Sequence, residues 1–162
     1  MSNSYLLLFL LATTFSLISC GSGEQSADLQ TEAEVKPAPG MTTEHFNQLL
    51  NNVTNIEYIF IDYPISFSQS ETNAVRQAVM FIDRETAVPD PACDATAMVI
   101  FMGGGEILAE GNIYFTGECA YFVFEKNREP AYFHRLTATG HQFYNSVLTN
   151  YFNQLQQQQR QQ

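Results

Sequence analysis

Residues 95–136 read ATAMVIFMGGGEILAEGNIYFTGECAYFVFEKNREPAYFHRL, and this stretch decides the fold. Four runs rich in branched and aromatic side chains, Ala95 to Met102, Ile107 to Phe115, Cys119 to Glu125 and Ala131 to Leu136, are separated by Gly103-Gly104-Gly105, Thr116-Gly117-Glu118 and Lys126 to Pro130. Gaps this short, holding Gly or Asn, join antiparallel strands as hairpins. The reading is a four-stranded antiparallel meander, with Ile56 to Ile61 as a candidate fifth strand that Pro64 ends.

If the turns set the register, one face of the meander carries Ala97, Val99, Phe101, Ile107, Ala109, Gly111, Ile113, Phe115, Tyr121, Val123, Tyr132, His134 and Leu136. That face is almost wholly apolar, so helices are expected to cover it, and small Ala97, Ala109 and Gly111 would let a helix come close. The opposite face carries Met98, Ile100, Met102, Leu108, Tyr114, Phe122, Phe124 and Phe133 among Thr96, Glu110, Asn112 and Arg135. It is unusually apolar for a surface meant to meet water. Either the N-terminal half of the chain packs on it, or Met98, Ile100, Tyr114, Phe122, Phe124 and Phe133 form a contact face for a protein or for the flat side of a sugar.

Three stretches have helical period. Phe46, Leu49, Leu50 and Val53 follow the i, i+3, i+4, i+7 pattern behind Thr42 or Thr43 as N-cap. Ser68 and Glu71 read as a capping box for a second helix over Gln69 to Phe81. Phe143, Val147, Tyr151 and Leu155, flanked by Tyr144, Leu148 and Phe152, give the strongest period, with Thr137 as N-cap. The fold class is therefore α+β: a four- or five-stranded antiparallel sheet, helices packed on one face, and a C-terminal amphipathic helix. The single domain spans 41–155, and 156–162 is a Gln-rich solvated tail.

Outside the domain, Tyr5 to Ile18 is an apolar run broken only by Thr13, Thr14 and Ser16. A membrane-spanning helix needs about 20 apolar residues, whereas a secretory h-region needs about 7 to 15 followed by small residues. The run ends in Leu17-Ile18-Ser19-Cys20, which resembles the lipobox of bacterial lipoproteins. The resemblance implies that 1–19 is a signal peptide, that Cys20 is acylated and becomes the first residue, and that the lipid holds the chain on a membrane. Met1 to Tyr5 departs from the usual pattern in having no Lys or Arg. Gly21 after the cysteine favours the outer membrane over the inner in sorting of the enterobacterial kind. Residues 20–40, rich in Gly, Ser, Pro, Gln and small acids, read as a disordered acidic tether that would hold the domain roughly 25 Å from the membrane.

With Cys20 used by the lipid, Cys93 and Cys119 remain, and an even pair in an exported chain reads as a disulfide. In the register above both cysteines lie level with Phe115 on strands either side of it, about 9 to 10 Å apart. The bond therefore requires the middle strand to end near Phe115 and the chain around Cys93, bent by Pro89 and Pro91, to fold over its tip.

The chemistry-bearing motifs are few. No Ser stands in G-x-S-x-G, there is no C-x-x-C, and His45, His134 and His141 form no tight metal-ligand spacing. The triple glycine joins two strands and is followed by no Lys-Ser/Thr, so it is a hairpin turn. Glu106, Glu110 and Asp62 are the carboxylates a glycosidase reading would use. A formal charge of −10 repels polyanions and excludes a general nucleic-acid binder. No catalytic residue, metal or cofactor is implied. The leading expectation is an exported, lipid-anchored binding or accessory module that meets an envelope protein or glycan. The alternatives are a small envelope hydrolase and a homodimeric structural module, and the sequence does not set the oligomeric state.

Overall fold

The computed structural model describes residues 39–161. The signal peptide, Cys20 and all but the last two residues of the tether lie outside the described residues, as does Gln162. Among the described residues no helix is long and apolar enough to cross a membrane.

The domain is α+β. The chain runs α1 (Thr43–Asn52), β1 (Asn55–Phe60), β2 (Ser66–Gln69), α2 (Thr72–Val79), β3 (Ile82–Thr86), β4 (Ala97–Gly103), β5 (Glu106–Tyr114), β6 (Tyr121–Lys126), β7 (Glu129–Leu136) and α3 (Ala138–Gln159). The strands form one open antiparallel sheet in the order β2-β1-β4-β5-β6-β7-β3. The expected meander is its centre, and β1 pairs with β4 along six residues, Asn55↔Met102 to Phe60↔Ala97. The sheet is wider than four or five strands because β2 and β3 add an edge at each side.

Each helix starts where a side chain satisfies a free backbone amide. Thr42 Oγ1 accepts from His45 N at 3.2 Å, and Thr137 Oγ1 accepts from Gly140 N at 3.2 Å. The second helix differs from its expected start: Glu71 is the N-cap, its carboxylate accepting from Ala74 N at 2.9 Å, while Ser68 belongs to β2. The last helix continues through Gln159 instead of fraying at Gln156, and beyond Tyr151 it leaves the sheet, so Phe152 and Leu155 are exposed.

All three helices lie on one face. Phe46 and Leu49 of α1, Val75, Ala78 and Val79 of α2, and Tyr144 and Leu148 of α3 join Ile56, Tyr58, Phe60, Val99, Phe101, Ile113 and Phe115 in one core. Tyr144 is its centre, with ring centroids 5.3 Å from Phe115, 5.2 Å from Phe143 and 5.8 Å from Tyr58; rings at such spacings add attraction beyond the area they bury. Gly140 lets α3 sit this low, since a Cβ there would stand 2.7 Å from both Phe81 Cβ and Leu136 Cδ1. Gly111 serves another purpose than the expected helix approach: its missing Cβ leaves room for the backbone of β6 at Val123 and Phe124.

The face assignment changes in β6. Tyr114 pairs with Tyr121 and Ile113 with Phe122, so Phe122 and Phe124 point into the helix-covered core and are fully buried, while Tyr121 and Val123 lie on the opposite face. A three-residue turn at 116–118 would give the expected faces. The connection takes six residues, 115–120, and this change of parity turns every side chain of the strand over. A bulge does the same in β5: Phe101 pairs with Ala109 but Met102 with Ile107, so Leu108 packs on the core and Ile107 stands on the far side.

His134 ties the far edge together. Its Nε2 accepts the Met41 backbone N–H at 2.8 Å, which leaves the proton on Nδ1 to be donated to the Asp83 carbonyl, also at 2.8 Å. The ring is 2% exposed, and burial, with Arg84 nearby, outweighs Asp83 and lowers its pKa below the ordinary 6.5. The unfolded chain therefore takes up this proton more readily than the folded one. The stability the ring contributes is complete above about pH 6.5 and is lost as pH falls from there toward the folded value. Chemical denaturation across this range should show a steeper loss for the wild type than for His134→Gln, which keeps an acceptor but does not titrate; parallel slopes would refute the assignment.

Two tight hairpins make a second test. Gly104 and Gly105 in one, and Asn127 and Arg128 in the other, all have positive φ, as two-residue type I′ turns require. Arg128, at φ 65°, is the least suited of the four. Arg128→Gly should raise unfolding free energy by about 0.5 to 1 kcal/mol, the relieved strain less the entropy of the added glycine. Urea melts would read this directly.

Candidate functional site

The face of the sheet without helices is divided in two by the chain itself. β3 and β4 are consecutive in sequence, yet β5, β6 and β7 stand between them, so residues 87–96 must cross those strands. They do so on the face opposite the helices. Ala87 is buried with Tyr121 and Val123, and Cys93, Tyr114, Cys119 and Phe133 pack around them as a small second core. Ala87 N donates to the Phe133 carbonyl at 3.3 Å, and the Tyr121 hydroxyl donates to the Asp90 carbonyl at 3.3 Å. Tyr114 and Tyr121 stack at 4.5 Å. Burial, and then the carboxylates of Glu125 and Asp94, push the Tyr114 phenol up, so this half holds its tyrosines neutral.

Cys93 and Cys119 stand at disulfide distance, with Cα atoms 6.1 Å apart. Strand β5 ends at Tyr114, and the crossing chain reaches past its tip to the 115–120 connection. The middle strand that would have held the cysteines apart stops one residue short of Phe115.

The other half, on β1, β4 and the start of β5, has no cover among the described residues. Ile59 is 43% exposed, Ile61 53%, Met98 37% and Ile107 58%, and Ile100 and Met102 lie half-buried between them. The strand pairings set this surface out in rows across the sheet. One row runs Ile59-Met98-Asn112, and the next runs Glu57-Ile100-Glu110. Asn112 Nδ2 donates to Glu125 Oε1 at 3.2 Å, which brings Glu125 onto the same face beside Glu110.

Of the six residues expected to form a contact face, Met98, Ile100, Tyr114 and Phe133 are on the helix-free face, Tyr114 and Phe133 within the covered half. Phe122 and Phe124 belong to the core. The residues that sequence reasoning missed are Ile59, Ile61 and Ile107. The first two reach the patch through the long-range pairing of β1 with β4, and the third through the bulge, so no local signal marks them.

The remaining hollows are shallow. One, about 580 Å³, lies between the edge strand β2 and α3 against Phe67, Phe143, Val147 and Tyr151; no Asp, Glu, His, Lys or Arg lines it. Another, about 340 Å³, holds His45, Lys126 and Tyr132 beside α1. The carboxylates of the glycosidase reading sit apart in the fold: Glu106 opens β5 at the Gly104-Gly105 turn, Glu110 is on the open patch, and Asp62 is on the bend after β1. Among the described residues no group of three His, Cys, Asp or Glu side chains could hold a metal ion.

The crossing segment yields a prediction. Replacing both Cys93 and Cys119 by Ser should cost roughly 2 to 4 kcal/mol, since the bond closes a loop of moderate length, and should speed amide exchange over residues 87–95 more than in β1. Uniform acceleration would mean that side-chain packing alone holds the segment. Comparison with protein-family models, with curated proteins and with solved structures finds no match.

Proposed function

We propose that this chain is an exported, lipid-anchored protein of the cell envelope that acts by binding an envelope component, protein or glycan, and carries out no catalysis of its own. The observation that supports the binding role best is the divided sheet face. A chain that spends a ten-residue crossing segment and a cysteine pair on covering one half leaves Ile59, Ile61, Met98 and Ile107 exposed on the other. Contiguous apolar surface of this kind, bordered by polar groups, marks contact sites more often than it marks idle surface.

The anchoring half of the proposal rests on the sequence. Leu17-Ile18-Ser19-Cys20 after an apolar run supplies the acylation site, residues 20–40 supply the spacer, and Gly21 favours the outer membrane. The cysteine pair fits an oxidising compartment. An anchored module needs little affinity of its own, because confinement to one surface raises the effective concentration of any partner on that surface.

Two measurements test the two halves. Cys20→Ala should remove the mass added by acylation and move the protein from the membrane to the soluble fraction; unchanged membrane retention would refute the lipid anchor. In crosslinking pull-downs from intact envelopes, Ile59→Asp should abolish a partner that the wild type captures. A control at Gln48, exposed on the helix side, should not. Capture indifferent to Ile59 would remove the open patch from the function.

A further inference from the structure

We infer that the occupant of the open patch is a basic amphipathic helix of a partner protein, an inference that rests on the binding role proposed above. Size comes first. The apolar rows span β1, β4 and β5, with the exposed Ser66 and Ser68 of β2 as their polar border; at about 4.8 Å per strand the rows are roughly 14 Å wide, against roughly 10 to 12 Å for a helix with its side chains. A sheet's face, unlike its edge, has its backbone groups already paired, so side chains must supply the contact; a helix laid on a sheet does this.

Charge selects the chemistry. Glu57 and Glu110 flank Ile100 in one row, and Glu125 stands next to Glu110. No lysine or arginine lies in these rows. Arg135, the cation on this side of the sheet, is in the covered half and pairs with Glu85 at 2.9 Å. A ligand that buries the apolar rows must therefore bring its own positive charges to the carboxylates between them. This rejects a second copy of the chain, which would oppose the same carboxylates to one another, and it rejects an anionic lipid surface. A sugar can donate its hydroxyls to the carboxylates but brings no positive charge, so it uses the acceptors without using the charge. A helix with lysine or arginine set among leucine-like residues satisfies both features.

The test uses the full chain and two synthetic helical peptides of equal length, one of leucine and lysine, the other of leucine and glutamate, with binding read by fluorescence anisotropy. The leucine-lysine peptide should bind, and Glu57→Gln with Glu110→Gln should weaken it roughly three- to tenfold. The pair Glu44→Gln with Glu118→Gln, the same change in net charge at exposed positions away from the patch, should change it by less than about twofold. Equal weakening by both pairs, or equal binding of the leucine-glutamate peptide, would overturn the inference. A photo-crosslinking residue at Met98 in intact envelopes separates this inference from the reading beneath it. Capture of a segment rich in lysine or arginine and apolar residues supports both. Capture of an acidic or uncharged segment, a lipid, a glycan or a second copy overturns the helix alone, and capture of nothing overturns the binding role as well.

Discussion

Strands β3 and β4 follow one another in the chain but are separated in the sheet by three others, and the rest of the molecule depends on that separation. Four successive antiparallel pairings leave β3 and β4 parallel to one another, and a connection between parallel strands of one sheet must cross over one of its faces. The helices already occupy one, so the connection takes the other. Its backbone would lose solvent on top of an apolar sheet, and the structure answers this with hydrogen bonds from Ala87 N to Phe133 and from the Tyr121 hydroxyl to Asp90. A single crossing segment is narrower than a sheet of seven strands. The half-covered face follows from the topology, without any need to invoke a cavity or a cleft.

The six-residue connection at 115–120 has the same kind of reach. By setting Tyr114 opposite Tyr121 it sends Phe122 and Phe124 under the helices, and it frees Cys119 from a strand pairing so that it can meet Cys93. Had the turn been one of three residues, Tyr121 and Val123 would have faced the helices, and the crossing segment would have met two phenylalanines instead. Both versions bury aromatic side chains on both faces. That is why the alternation of β6, apolar at every position from Tyr121 to Phe124, could not settle its own register: period-2 reading needs one polar face to give it a sign.

The parts legible in the sequence were those with local causes. The hairpins at Gly104-Gly105 and Asn127-Arg128, the caps at Thr42 and Thr137, and the cores of β4 to β7 each follow from a few neighbouring residues. β2 and β3 were not legible, because Ser-Phe-Ser-Gln and Ile-Asp-Arg-Glu-Thr are edge strands whose polar side chains suit solvent and dilute the strand signal. Ser68 shows the cost of local reading: its spacing to Glu71 fits a capping box, yet pairing with Glu57 across β1 holds it in a strand. The contact face was legible in kind and only partly in membership. Met98 and Ile100 came from alternation within β4, while Ile59 and Ile107 needed a long-range pairing and a bulge that no window of sequence contains.

Carboxylates on an apolar sheet face carry a cost that needs a reason. Glu110 and Glu125 lie on neighbouring strands of one face, an arrangement of like charges that weakens a sheet, and only Asn112 mediates between them by donating to Glu125. Uncharged residues in those positions would strengthen the isolated domain but would leave an unbroken apolar patch from Ile59 to Ile107, open to stacking against another copy. Acids in the middle of the patch prevent that stacking, and the overall charge of −10 adds to the repulsion. The same acids leave the face receptive to a cationic apolar partner, so one arrangement both suppresses self-association and selects what binds.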